Sequence, residues 1–76
     1  MELDLNRLPA GSGGVVSDIG GPEHLRSRLR SFGLVPGTDI SVRYKSPDGG
    51  VTAIELRDTV IAMRTCELKK IRVRLP

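Results

Sequence analysis

Ile40-Ser41-Val42-Arg43-Tyr44-Lys45-Ser46-Pro47-Asp48-Gly49-Gly50-Val51-Thr52-Ala53-Ile54-Glu55-Leu56 is the stretch that decides the architecture. On its first limb Ile40, Val42 and Tyr44 alternate with Ser41, Arg43 and Lys45, the two-residue period of a strand with one buried and one wet face. On its second limb Thr52, Ile54 and Leu56 alternate with Ala53, Glu55 and Arg57. Between them Ser46-Pro47-Asp48-Gly49-Gly50 gathers turn-forming residues, with glycines free to take positive φ. The stretch predicts a hairpin.

Toward the C-terminus, Asp58-Thr59 predicts a second tight reversal. Val60-Ile61-Ala62-Met63, apolar without a break, predicts a short strand buried more fully than the hairpin limbs. Thr65-Cys66-Glu67-Leu68 has room for one helical turn, with Thr65 as its N-cap. In the closing strand Ile71, Val73 and Leu75 alternate with Arg72 and Arg74.

Toward the N-terminus, Pro36-Gly37 suits the centre of a type II turn. Pro22-Glu23 opens a helix, since proline is pre-set for the first turn and an acid favours the positive end of the helix dipole. Leu25, Leu29 and Phe32 fall on one helical face, Arg26, Arg28 and Arg30 mostly off it, and Gly33 stands where a left-handed cap belongs. Val15, Val16 and Ile19 predict a strand entered from Gly11-Ser12-Gly13-Gly14, whose glycines are assigned to turn-making. Leu3, Leu5 and Leu8 edge an extended segment stopped by Pro9.

About five short strands, a short helix after the first and a one-turn helix before the last describe a mainly β chain, and a small SH3-like barrel fits that order. Closure of the barrel would remove exposed strand edges. Residues 1–76 make a single domain. Val16, Leu29, Ile40, Val42, Ile54, Ile61, Ile71 and Val73 are the expected interior.

Composition narrows what such a barrel can do. Apolar residues are 38% of 76, enough for one tight core without a large buried active-site cavity. Phe32 and Tyr44 are the only aromatics, which excludes stacked aromatic platforms. The formal charge of +3 is a mild basic excess. Cys66 is the only cysteine, so no internal disulfide forms, and Met1-Glu2-Leu3-Asp4 lacks the character of a signal peptide. A cytoplasmic protein is expected. The apolar runs fall far short of the ~20 residues that cross a bilayer, so a membrane link would run through a partner.

Catalysis finds little support. His24, the only histidine, falls on the first helical turn, where a surface role is expected. Cys66 has neither a Cys-x-x-Cys spacing nor an adjacent histidine and reads as a buried or half-buried structural thiol. One histidine, one cysteine and scattered carboxylates (Asp18, Glu23, Glu67) are too few for a closed transition-metal site; His24 with Glu23 would make at most a weak surface site. The glycine runs lack the P-loop lysine and the dinucleotide fingerprint. The chain is expected to be no enzyme and to carry no cofactor or structural metal.

From Val15 to Val73 the chain resembles the FeoA family, small cytosolic accessory proteins of bacterial ferrous iron uptake. The resemblance rests first on Arg28-Leu29-Arg30-Ser31-Phe32-Gly33-Leu34-Val35-Pro36-Gly37. The glycine-rich approach to Val15-Val16, Ile40 and Val42, Ile61-Ala62-Met63-Arg64, Glu67 and Ile71-Arg72-Val73 support it. Met63 and Leu68 stand where the family often has Leu and Ala. The resemblance implies an SH3-like barrel with short helices, a stand-alone protein, and docking on the cytosolic part of a FeoB-type ferrous iron transporter.

The basic residues leave two readings open. Arg26, Arg28 and Arg30 on the helix, and Lys69, Lys70, Arg72 and Arg74 near the last strand, could face RNA or DNA, but nucleic-acid barrels usually add aromatic stacking, which is scarce here. The first reading is therefore protein docking. Its candidate face is Arg26, Arg28 and Arg30 with Leu34, Val35 and Pro36, apolar anchors beside a charged rim. The sequence does not fix the oligomeric state.

Overall fold

The computed structural model describes residues 1–76. Its strands are β1 (Glu2–Asp4), β2 (Gly13–Ile19), β3 (Asp39–Lys45), β4 (Val51–Leu56), β5 (Thr59–Arg64) and β6 (Ile71–Arg74). Helix α1 (Glu23–Ser31) lies between β2 and β3, and the one-turn helix α2 (Thr65–Leu68) between β5 and β6. A single antiparallel sheet runs in the order β1-β6-β2-β3-β4-β5. The mainly β class is as expected, with one strand more than the expected five. The extra strand is β1, which lays Leu3 against Val73 of β6. A 3-10 turn at Leu5–Arg7 then replaces further extension and carries Leu5 and Leu8 into the core.

Both hairpin limbs form, with Thr52, Ile54 and Leu56 all buried. Fourteen buried apolar residues make one cluster, drawn from β2 to β6, both helices and the loops at Leu8 and Leu34. Of the expected interior only Ile61 departs: it is partly buried. Strand β5 ends the sheet, so its apolar run is not covered on both sides. Val60 is 55% exposed and only Met63 of this run is buried. Strands β1 and β5 do not pair with each other, so hydrogen bonding leaves the barrel open at that seam.

Further departures have local causes. Between Val42 and Tyr44 the pairing with β4 shifts register, making Arg43 a bulge residue and turning Tyr44 outward, 50% exposed. Phe32 caps α1 instead of continuing its buried face and is 47% exposed. Arg64, not Thr65, is the N-cap of α2, and the Thr65 hydroxyl donates to the Gly49 carbonyl instead. Of the first glycine run only Gly11 has positive φ; Gly13 and Gly14 belong to β2, where a Cβ would meet the Ile40 and Arg74 carbonyl oxygens at 2.6 and 2.8 Å. Close strand approach, more than turning, accounts for them.

The end of α1 is built as the sequence predicts. Gly33 takes φ +87, its N–H donates to the Arg30 carbonyl, and the Leu34 N–H donates to the Leu29 carbonyl. These paired bonds are a Schellman cap. Pro36-Gly37 follows as a turn closed by Thr38 N–H on the Val35 carbonyl at 3.0 Å, with Gly37 at φ +96. The Thr38 hydroxyl donates to the Gly33 carbonyl and accepts from Val35 N–H, locking cap and turn together.

Candidate docking face

Helix α1 and the turn after it bring Arg26, Arg30, Val35 and Pro36 together around a shallow depression of about 160 Å³, with Asp18 and Ile19 at the end of β2 completing its wall. Four of the six expected residues share this face. Leu34 does not: it is fully buried, because the residue after a Schellman glycine packs back on the last helical turn. The Gly33 signal already carried that information. Arg28 points across the helix and lines a separate groove with Phe32 and β5. Asp18 and Ile19 were missed, since only folding brings the end of β2 beside residues 35 and 36.

Charge on this face is largely balanced. Glu23 accepts hydrogen bonds from both Arg26 and Arg30, and the Arg30 bond, then that of Arg26, holds its carboxyl below the usual carboxylate range. Nε of Arg26 is shielded from solvent and has no partner. Arg28 binds Glu67 of α2 instead. Burial opposes the charged form of Glu67, but the Arg28 hydrogen bond and the Arg64 N–H outweigh it and bring its carboxyl below the usual range. Arg43 pairs with Glu55, and Arg72 with Glu2 and Asp4.

The residues with chemical potential lie elsewhere. His24 is exposed, as expected for the first turn. It shares an open cleft of about 480 Å³ with Cys66, Glu67, Lys69 and Lys70. Cys66 is exposed, contrary to the buried or half-buried thiol expected: the single turn of α2 directs Leu68 inward and leaves Cys66 outside. No group of three or more His, Cys, Asp or Glu side chains is placed to hold a metal ion. No helix is long and apolar enough to cross a membrane.

The model of the FeoA domain matches residues 3–75. A Campylobacter jejuni protein with the provisional name Fe(2+) transport protein A is 26% identical over 73 residues, covering 96% of this chain and 99% of that one. The crystal structure of an iron uptake regulatory protein, FeoA, superposes with a TM-score of 0.87 at 30% identity, covering 97% of both chains. FeoA of Stenotrophomonas maltophilia superposes with a TM-score of 0.79 at 28% identity, covering 97% of this chain and 89% of the other. That relative was solved with zinc and is described as a prokaryotic SH3 domain protein and a suggested activating factor for ferrous iron transport.

Proposed function

The chain belongs to the FeoA domain family, and we propose that it is a cytoplasmic, non-enzymatic accessory protein of ferrous iron uptake that docks on the cytosolic part of a FeoB-type transporter. The observation that carries this reading is the FeoA match, which spans residues 3–75 and so includes the whole helix-and-turn stretch. Val35 and Pro36 supply apolar contact and Arg26 and Arg30 the rim; Leu34 supports the turn from inside. Engagement of Arg26, Arg28 and Arg30 by carboxylates weighs against a nucleic-acid groove on α1, which needs its cations free for phosphate, whereas Lys69, Lys70 and Arg74 make no ion pair and are the group that a polyanion control probes.

The test is binding of the purified chain to the cytosolic GTP-binding domain of such a transporter, beside a polyanion control. Val35→Asp is expected to weaken docking by about tenfold or more, as loss of an apolar anchor does, with an unchanged thermal melt. Reversing Arg26 and Arg30 to Glu leaves Glu23 among like charges and turns the face negative, so association slows and salt, by screening, narrows the gap to wild type, whose own face is largely balanced and depends little on salt. No binding to the transporter domain, or tight binding to the polyanion alone, would overturn the reading.

A further inference from the structure

The two ends of the sheet are protected very differently. Strand β1 has only three residues, and its Glu2 and Asp4 are both tied to Arg72, the short and charged edge that discourages pairing. Strand β5 has six residues, contains neither proline nor lysine, and pairs with β4 in unbroken register. Leu56 and Thr59 flank the two-residue turn Arg57-Asp58, both at positive φ, so they form a hydrogen-bonded pair and alternation makes Ile54 with Ile61 the next one. The N–H and C=O groups of Val60 and Ala62 consequently point away from β4, toward the free edge. Beside that edge a groove of about 340 Å³ runs between β5 and α1, lined by Leu29, Phe32, Ile61 and Met63 among others.

We infer that this edge pairs with β5 of a second copy of the chain, across a two-fold axis at Ile61. In that register Val60 lies opposite Ala62 of the second copy, and their outward N–H and C=O groups exchange hydrogen bonds on both sides of the axis. Other registers by one residue would set outward groups against inward ones. The same register brings Arg64 beside Asp58 of the second copy, twice by symmetry. Neither Arg64 nor Asp58 has a salt-bridge partner within its own chain, so the edge is self-complementary in charge as a two-fold interface requires. The half-exposed Phe32 and the partly buried Ile61 of each copy meet across the axis, which gives the apolar groove an occupant. One short strand buries less than a standard interface, so the dimer is weak and concentration-dependent. This inference is independent of transporter docking, which uses the opposite side of α1.

Sedimentation equilibrium over a concentration series up to about 1 mM tests it, in the range where weak interfaces populate. The wild-type chain is expected to dimerise reversibly. Ala62→Pro removes an outward N–H that β4 does not use and should leave a monomer. Arg64→Glu and Asp58→Lys each put like charges together and should each weaken self-association about tenfold. Mixed one to one, these two variants should recover a heterodimer, because the introduced glutamate meets the introduced lysine while native Asp58 meets native Arg64. Thermal melts confirm that each variant is folded, which matters most for Asp58→Lys at its positive φ. A wild-type monomer at about 1 mM, dimerisation unaffected by Ala62→Pro, or a mixture that fails to recover would overturn the inference. So would a monomeric chain whose transporter-domain binding is lost on Ala62→Pro, since the edge would then receive a strand of the transporter.

Discussion

Strands β6 and β5 are both short and rich in apolar residues, yet one lies inside the sheet and the other ends it. In β6, Ile71 and Val73 are completely buried while Arg72 and Arg74 face water. In β5 only Met63 is buried, although Val60-Ile61-Ala62-Met63 is the more continuously apolar segment. Strict alternation with charge thus reports one covered face, whereas an unbroken apolar run reports only that water is disfavoured on both. Cover for such a run can come from the chain itself or from outside it.

Removing equal volume from each strand should separate the two most clearly. Ile71→Ala empties a fully buried position between β1 and β2 and should cost ~2–5 kcal/mol, the range for large core truncations. Ile61→Ala at the edge should cost only ~1 kcal/mol, in proportion to its partial burial. Chemical denaturation of both variants at low concentration checks this, and equal losses would show that β5 is as well covered as β6.

A second contrast adds atoms instead of removing them. Gly13 and Gly14 sit where neighbouring strand carbonyls leave less than 3 Å for a Cβ, so Gly13→Ala or Gly14→Ala must push backbone apart and should cost ~1–3 kcal/mol. At the exposed edge, Ala62→Ser should stay within ~0.5 kcal/mol. Wild-type melting of both glycine variants would mean that β2 relaxes freely against β3 and β6.

Much of this fold is legible in the sequence because the signals are local. The alternation at Ile40 to Leu56, the glycine cap at Gly33 and the turn at Pro36-Gly37 each depend on neighbours a few residues away, and each formed. What stayed hidden depended on partners distant in sequence. The bulge that turns Tyr44 outward is a mismatch between two strands, and the exposure of β5 follows from its place at the end of the sheet. For the proposed docking face, helix and turn spacing suffices to place Val35, Pro36, Arg26 and Arg30 near one another, as they are around the depression. Asp18 and Ile19 are not legible in this way, because the whole of α1 and its cap separate them from Val35 and Pro36 in sequence and only the fold brings the two segments together. Leu34 lies inside and not on that face, as the local signal implies: a Schellman glycine turns the next apolar residue inward.

The smallest effect concerns how the edge is tied down. Glu67 accepts hydrogen bonds from Arg28 of α1 and from Arg64 N–H at the end of β5, so a single carboxylate joins helix and edge strand. Its folded pKa lies below the ordinary value of 4.5. A carboxyl so depressed contributes stability that is fully present above the unfolded pKa and is lost as pH falls through the folded one. Glu67→Gln should therefore lose ~0.5–1 kcal/mol at neutral pH, modest because Arg28 is half exposed and solvent screens the pair. The gap to wild type should close on acidification below 4.5, as the protonated wild-type side chain comes to resemble the amide. Glu23, exposed on the face of α1 that carries Arg26 and Arg30, has its carboxyl lowered by Arg30 and Arg26, yet it joins only residues of one helix. Glu23→Gln should accordingly change stability less than Glu67→Gln. Denaturation midpoints of the two variants against pH decide the matter. A Glu67→Gln deficit that persists unchanged in acid would assign the tie to neutral hydrogen-bond geometry, and a larger deficit for Glu23→Gln would place the stabilising charge within α1 instead of between α1 and β5.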